Sequence, residues 1–259
     1  MKITVLFENT TIDPNLKYGH GLSLYIEANG KRILFDMGQD DSFITNAKTL
    51  GTDISKTDFA IISHGHYDHG GGLVPFIDTY KDIPIYINKN AFLSFYSGYE
   101  KYIGLYPKLD KSRFVLTDSH TSLGNGIMLV TLKNEDIVHP MQNNGMLIKD
   151  DEVFKHDYFE HEHYLVITEN GKRTVISGCS HRGISNITHK LRPDCVIGGF
   201  HFSKLDPSDP MIQNTAKHLL STNCMFYTCH CTGIEQFNAM KLTMNDKLRY
   251  ASTGSVICI

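Results

Sequence analysis

Ser63-His64-Gly65-His66-Tyr67-Asp68-His69-Gly70-Gly71-Gly72 places three histidines and an aspartate within the six residues 64–69. It directly follows Phe59-Ala60-Ile61-Ile62, a short apolar run flanked by polar residues, which reads as a buried strand. The donors therefore begin at a strand's carboxyl end. His64 and His66 are two apart, so an extended backbone points both imidazoles the same way and supplies two nitrogens to one metal. Asp68 and His69 follow a turn and offer an oxygen and a nitrogen to a second. Gly65 and the Gly70-Gly71-Gly72 run let the backbone bend tightly around the ions. Without a metal, protonated imidazoles at this density would repel one another.

The rest of the chain bounds the answer. It has 259 residues, 14 histidines, six cysteines and no tryptophan. The length suits one large domain, spanning 1–259, with a substantial core. Hydrophobic residues make up 41% and charged residues 20%, which argues against long disordered stretches. A net charge of −3 leaves no electrostatic footprint for nucleic acid or an anionic membrane. No apolar run approaches membrane-spanning length, and Met1–Phe7 reads as a strand rather than a signal peptide. The cysteines all lie between 179 and 258, in a chain too large to need disulfide staples. The expectation is a reduced, cytoplasmic protein that acts on a small molecule, with self-association left open.

Outward from the donor stretch, strand-like and helix-like segments alternate. Residues 2–8, 21–28 and 31–36 read as strands, the last two joined at Asn29-Gly30. A helix at 42–50 takes Ser42 as its N-cap and Gly51 as its stop. Strands are expected at 84–87, at 164–168 and 173–177 around Asn170-Gly171, at 195–197 and at 224–228. Helices are expected at 184–191, after Ser208-Asp209-Pro210 with Ser208 as cap, and after Gly233. Residues 95–150 have weak periodicity and carry Tyr96, Tyr99, Tyr102 and Tyr106. They read as a loop-rich insertion whose aromatics pack on the core, with a substrate lid as the alternative. Two similar halves, each β-rich then α/β, suggest an α/β fold, a four-layered αββα sandwich.

The His-x-His-x-Asp-His pattern resembles the signature of the metallo-β-lactamase superfamily. Ile33-Leu34-Phe35-Asp36-Met37-Gly38 is similar to that family's strand-Asp-Gly element. The resemblance implies the same αββα fold and one or two divalent metals, zinc first, with iron or manganese as alternatives. A narrower set runs through the chain: Glu8-Asn9, His20-Gly21-Leu22-Ser23, Ser177-Gly178-Cys179-Ser180-His181, Gly198-Gly199-Phe200-His201 and Cys229-His230-Cys231-Thr232-Gly233. With the donor stretch, it resembles the subfamily named after dihydropterin-type ribofuranosylaminobenzene-phosphate synthases.

The resemblance also implies where the other ligands come from. Cys179 stands where many relatives have an aspartate, as a bridging or neighbouring ligand. His181 completes the first set with His64 and His66, and His161 competes for that role. His230 joins Asp68 and His69 in the second. Asp68 also orients the attacking water, expected to bridge the two ions. His201 is read as a substrate contact. Asp36 is read as an acceptor that orients a ligand histidine. His120, His139, His156, His163, His189 and His218 are read as exposed or satisfied, and His20 has no derived role. A separate zinc site from Cys224, Cys229, His230 and Cys231 is disfavoured, because the paired spacing of zinc ribbons is absent. The expected activity is hydrolysis of a small ester or phosphoester. The alternative is transfer from a pterin diphosphate, as in the subfamily's namesake.

Overall fold

Apolar residues in the strands point alternately to two different cores, and that alternation builds the layers. In the computed structural model, which describes residues 1–142 and 145–259, there are three sheets. The amino-terminal sheet contains β1 (Lys2–Phe7), β2 (Ser23–Ala28), β3 (Lys31–Phe35), β4 (Phe59–Ile62) and β5 (Ile85–Asn88). A small sheet holds β6 (Ser94–Ser97) and β7 (Lys101–Tyr102). β8 (Phe114–Thr117) returns to the first sheet. The carboxy-terminal sheet starts with β9 (His120–Gly124) and β10 (Ile127–Val130). β11 (Met146–Asp150) and β12 (Val153–His156) complete the small sheet. The carboxy-terminal sheet continues with β13 (Tyr164–Glu169), β14 (Lys172–Ser177), β15 (Cys195–Gly198), β16 (Met225–Thr228) and β17 (Leu248–Tyr250). β18 (Val256–Cys258) pairs with β1.

The two large sheets have the orders β18-β1-β2-β3-β4-β5-β8 and β17-β16-β15-β14-β13-β10-β9. Ile3, Val5, Ile33, Phe35, Phe59 and Ile61 face Leu129, Leu165, Ile167, Ile176 and Ile197 across the space between them. The intervening residues Leu6, Leu34, Ala60 and Ile62 face outward, against Phe43, Ala47, Leu73 and Phe76. Those four belong to α1 (Ser42–Thr49) and α3 (Leu73–Thr79). On the other side, Val166, Val175, Val196 and Phe226 pack under α4 (Ile184–Leu191), α5 (Pro210–Leu220) and α6 (Ile234–Met244). The result is the expected αββα sandwich. Each fully buried aliphatic side chain in it contributes about 1.5–3 kcal/mol.

Several local expectations need adjustment. Asp41, not Ser42, occupies the cap position of α1, and Ser42 N–H is bonded to Asp40 Oδ1 at 2.9 Å. Asp209, not Ser208, caps α5, because its carboxylate accepts from Met211 N–H at 2.8 Å while the Ser208 hydroxyl turns back to Asp206. The described part of 95–150 carries more strand than that reading gives it. β8 to β10 extend the two large sheets, and β6, β7 and β11 join β12 in the small one. These strands are two to five residues long and half exposed, so they leave little periodic signal. Tyr96 packs edge-on against Tyr102 and Phe154, and Tyr99 against Phe154. The insertion also braces the donor stretch: Tyr67 N–H is bonded to Ile103 O at 2.9 Å, and His66 bridges to Gly104. Among the described residues, no helix is long and apolar enough to cross a membrane.

Candidate metal centre

β3, β4 and β5 run parallel, as do β14, β15, β16 and β17, so both sheets present strand carboxyl ends along one edge of the sandwich. Ligands of open α/β sheets gather at such ends. Here Asp36 follows β3, Ser63 and His64 follow β4, Cys179 and His181 follow β14, His201 follows β15 and His230 follows β16. Asp36, Ser180, His201 and His230 all have φ between 50° and 58°, a left-handed conformation that turns the chain sharply at the strand end. Non-glycine residues held this way gather where function requires it. The short helix α2 (Tyr67–Gly70) then carries Asp68 and His69.

The hydrogen bonds fix which ring nitrogens are free. Buried Asp36 accepts from Ser63 N–H at 2.7 Å, from the Ser63 hydroxyl at 2.8 Å and from His69 Nδ1 at 2.7 Å. The Ser63 hydroxyl, spent on Asp36, accepts in turn from His64 Nδ1 at 2.8 Å. His230 Nδ1 donates to Asn9 Oδ1 at 2.7 Å, and His230 N–H to Glu8 Oε2 at 3.0 Å. His64, His69 and His230 are therefore held with Nε2 lone pairs turned inward. Asp36 does what the sequence suggests for it, and it serves two histidines rather than one.

The inward atoms converge. His69 Nε2 lies 3.2 Å from His230 Nε2 and 3.1 Å from Cys179 Sγ. Asp68 Oδ2 is 3.4 Å from His230 Nε2 and 3.7 Å from His69 Nε2. His181 Nε2 is 3.3 Å from His64 Nε2. Donor atoms of Asp68, His69, Cys179 and His230 form one compact group, and those of His64, Cys179 and His181 a second. His66 Nε2 is buried without a hydrogen-bond partner, and its ring lies 4.6 Å from that of His64 and 5.0 Å from that of His181.

Burial favours the neutral, electron-donating form of His64, His66 and His181. Burial, then the neighbouring imidazoles, drives the pKa of His64 and His181 well below the ordinary value. Burial lowers His66 to about 3. Burial alone would raise Asp68, but His69, His20 and His230 hold it well below the usual carboxylate range. Burial opposes charge on His69, and Asp36 and Asp68 outweigh it. Facing lone pairs repel unless a cation lies between them. With metal–nitrogen bonds of about 2.0–2.1 Å, two tetrahedral ligands stand roughly 3.3 Å apart. The spacing of His69 and His230 fits that, so this donor set suits a metal ion.

His161 is placed differently from His181. Its Nδ1 accepts from Gly65 N–H at 2.9 Å, its Nε2 is 3.2 Å from Asp157 Oδ2, and Phe95 stacks on the ring at 4.0 Å. Both nitrogens are engaged, although His66, Asp157 and His161 together form a further compact group. His201 is 9% exposed, against the His181 ring at 4.2 Å, with both ring nitrogens unpartnered. This buried position leaves little of it for a substrate. His20 is half exposed, with Nε2 3.1 Å from Asp68 Oδ2.

Other contributors carried no readable signal. Glu162 accepts from His181 N–H at 2.9 Å, Arg182 N–H at 3.1 Å and the Tyr164 hydroxyl, and so fixes the 180–183 turn. Asp157 accepts from Phe159 N–H and faces His161 Nε2, and Ser63 links His64 to Asp36. Of the six histidines set aside, His163 is fully buried, its Nδ1 bonded to Thr117, and lowered by burial to about 4. Cys229 is in the inter-sheet core and Cys224 in the outer core, so the disfavoured zinc grouping does not assemble.

Comparison with known proteins agrees with this geometry. The profile of the metallo-beta-lactamase superfamily matches residues 16–191, and the chain belongs to that superfamily. It is 29% identical to an uncharacterized protein of Methanocaldococcus jannaschii, over 99% of this chain and all of that one. It is also 29% identical to the 7,8-dihydropterin-6-methyl-4-(beta-D-ribofuranosyl)-aminobenzene-5'-phosphate synthase of the same organism, over 92% of this chain and 89% of that one. The crystal structure of a metal-dependent hydrolase of the beta-lactamase superfamily superposes with a TM-score of 0.86 at 28% identity, covering 100% of this chain and 99% of that chain.

Proposed function

We propose that the chain is a metal-dependent hydrolase of a small ester or phosphoester. The observation that carries this is the pair His69 and His230, whose Nε2 atoms face each other at 3.2 Å while their Nδ1 atoms are tied to Asp36 and Asn9. His64, His66 and His181 would hold one divalent ion and Asp68, His69 and His230 a second, with Cys179 beside both. Nitrogen and thiolate donors favour zinc. Bound there, the metal supplies a Lewis acid for a carbonyl or phosphoryl oxygen.

The chain's own residues do the rest. Asp68 Oδ2, kept ionised by His69, His20 and His230, orients the water. His20 links Asp68 to solvent and braces the carboxylate from the rim. Phe95 and Phe159, stacked on His161 and His181 at 4.0 and 4.4 Å, keep water from the backs of the rings. All six cysteines are free, which supports a reducing, cytoplasmic setting.

A second reading, transfer from a pterin diphosphate to an aromatic carbon, is favoured by the similarity to the synthase over most of both chains. Metal analysis of protein purified without added metal, followed by an ester and phosphodiester panel, tests the first. Turnover should vanish on exhaustive chelation and return with metal. Turnover that survives chelation overturns the proposal. Turnover only with a pterin diphosphate and an aromatic acceptor establishes the second reading instead.

A further inference from the structure

β14, β15 and β16 are adjacent parallel strands, and the residues just beyond their carboxyl ends include Cys179, His201 and Cys231. The donor atoms of these three form a compact buried group of their own. The catalytic centre proposed above uses Cys179 but neither His201 nor Cys231. His201 is 9% exposed, and both of its ring nitrogens are buried without a hydrogen-bond partner. A buried imidazole normally satisfies at least one nitrogen, and leaving both unmet is unfavourable. The Cys231 thiol is accommodated by a glycine: a Cβ at Gly199 would lie 2.4 Å from Cys231 Sγ. His230 and Cys231 are consecutive, so one strand end serves two donor groups.

We infer that Cys179, His201 and Cys231 form a third donor set, which takes a thiophilic metal ion. Two thiolates and an imidazole make a soft set that selects zinc-like or copper(I)-like ions over magnesium or calcium. Sharing Cys179 couples this set to the neighbouring ones, and an ion here meets the unpaired His201 nitrogen. It stands on His201 and Cys231, and so does not require the catalytic reading to be correct.

The test is an anaerobic cobalt(II) titration of the metal-free full-length protein under a phosphine reductant. The thiolate-to-cobalt charge-transfer band and the bound cobalt are both read. Cys231→Ser should lower the band by about half, because one of two thiolates is lost. His201→Ala should weaken cobalt binding at the sulfur-containing set, and Cys229→Ser, a core cysteine outside it, should change neither readout. His64→Ala with His66→Ala should lose cobalt from the catalytic centre yet keep the band, so the two readings fail separately. Wild-type band and stoichiometry in both Cys231→Ser and His201→Ala overturn the inference. X-ray absorption of zinc-loaded wild type and Cys231→Ser gives a second readout. A lower mean sulfur number per zinc in Cys231→Ser supports the third set, and equal sulfur numbers overturn it.

Discussion

On the amino-terminal sheet, His64, His66, Asp68 and His69 follow one strand, β4, within six residues. On the carboxy-terminal sheet, Cys179 and His181 follow β14, His201 follows β15 and His230 follows β16, spread over some fifty residues. Both arrangements deliver donors to the same edge of the sandwich. The first does so through a tight loop and a short helix, so the sequence itself records the site. The second relies on parallel strands in register, where spatial neighbours such as Ser177 and Gly198, or Gly198 and Thr228, are far apart in the chain. One sheet carries its chemistry in local sequence, and the other carries it in topology.

The comparison is broken most directly by removing donors. His64→Ala with His66→Ala takes two donors from one loop and should cut metal content and kcat/KM by more than about 100-fold. Full metal content in the purified double variant would remove the site assignment. His230→Ala leaves Asp68, His69 and Cys179 in its group and should cost less than the double variant. Elemental analysis and turnover of the two proteins, side by side, measure how far the halves differ.

The next contrast is between the two histidines that compete for the first set. His181→Ala should weaken metal binding by about 100-fold, because its Nε2 faces His64 Nε2 at 3.3 Å. His161→Ala should cost nearer 10-fold, since His161 acts through the Gly65 backbone and Asp157. Equal losses in a competition against a chelator would make His161 a ligand as well.

That pair also marks how far the sequence could be read. The layer order, the hairpins at Asn29-Gly30 and Asn170-Gly171, and the donor stretch were legible because each rests on local periodicity or turn chemistry. The choice between His161 and His181 was not, because it depends on what the other ring nitrogen bonds. His161 has both nitrogens taken, by Gly65 N–H and Asp157, whereas His181 Nδ1 has no partner and its Nε2 faces His64 Nε2. The strands of the insertion leave little signal for a different reason: they are short and half exposed, so burial imposes no clear alternation. Glu8 and Asn9 stand in a recognisable motif, yet their task, holding His230, becomes visible only when the ends of β1 and β16, one on each large sheet, meet at the site.

Supporting hydrogen bonds should follow the same asymmetry. Asp36→Asn replaces an acceptor oxygen that serves both the Ser63 hydroxyl and His69 Nδ1, and so disturbs His64 and His69 together. Metal affinity should fall by about 10–100-fold. Asn9→Ala removes the acceptor for one donor histidine, His230, and should cost about 10-fold. Metal affinities measured by chelator competition would reverse this contrast if Asn9→Ala proved the more damaging.

At the opposite end from the site, the halves should become equivalent. Asn29-Gly30 and Asn170-Gly171 have matching left-handed backbones, with φ of 50° and 73° in one turn and 52° and 75° in the other. Such turns match the twist of the strands they join. A Cβ at Gly30 or at Gly171 meets nothing within 4 Å, so alanine there costs only the left-handed backbone, about 1–2 kcal/mol. At about 2–4 °C per kcal/mol for a chain near this size, Gly30→Ala and Gly171→Ala should each lower Tm by several degrees. Metal content should stay at the wild-type level in both. A much larger loss in one variant would show that its hairpin carries more than a turn. The contacts that could do this join the two turns, because Asn29 N–H is bonded to Glu169 Oε1 at 2.6 Å and Asn29 Nδ2 to Thr168 O at 3.0 Å. Asn29→Ala keeps the backbone bond to Glu169 but loses the Nδ2 bond to Thr168 O, so its excess cost over Gly30→Ala would measure how tightly that side chain ties the sheets far from the metal donors.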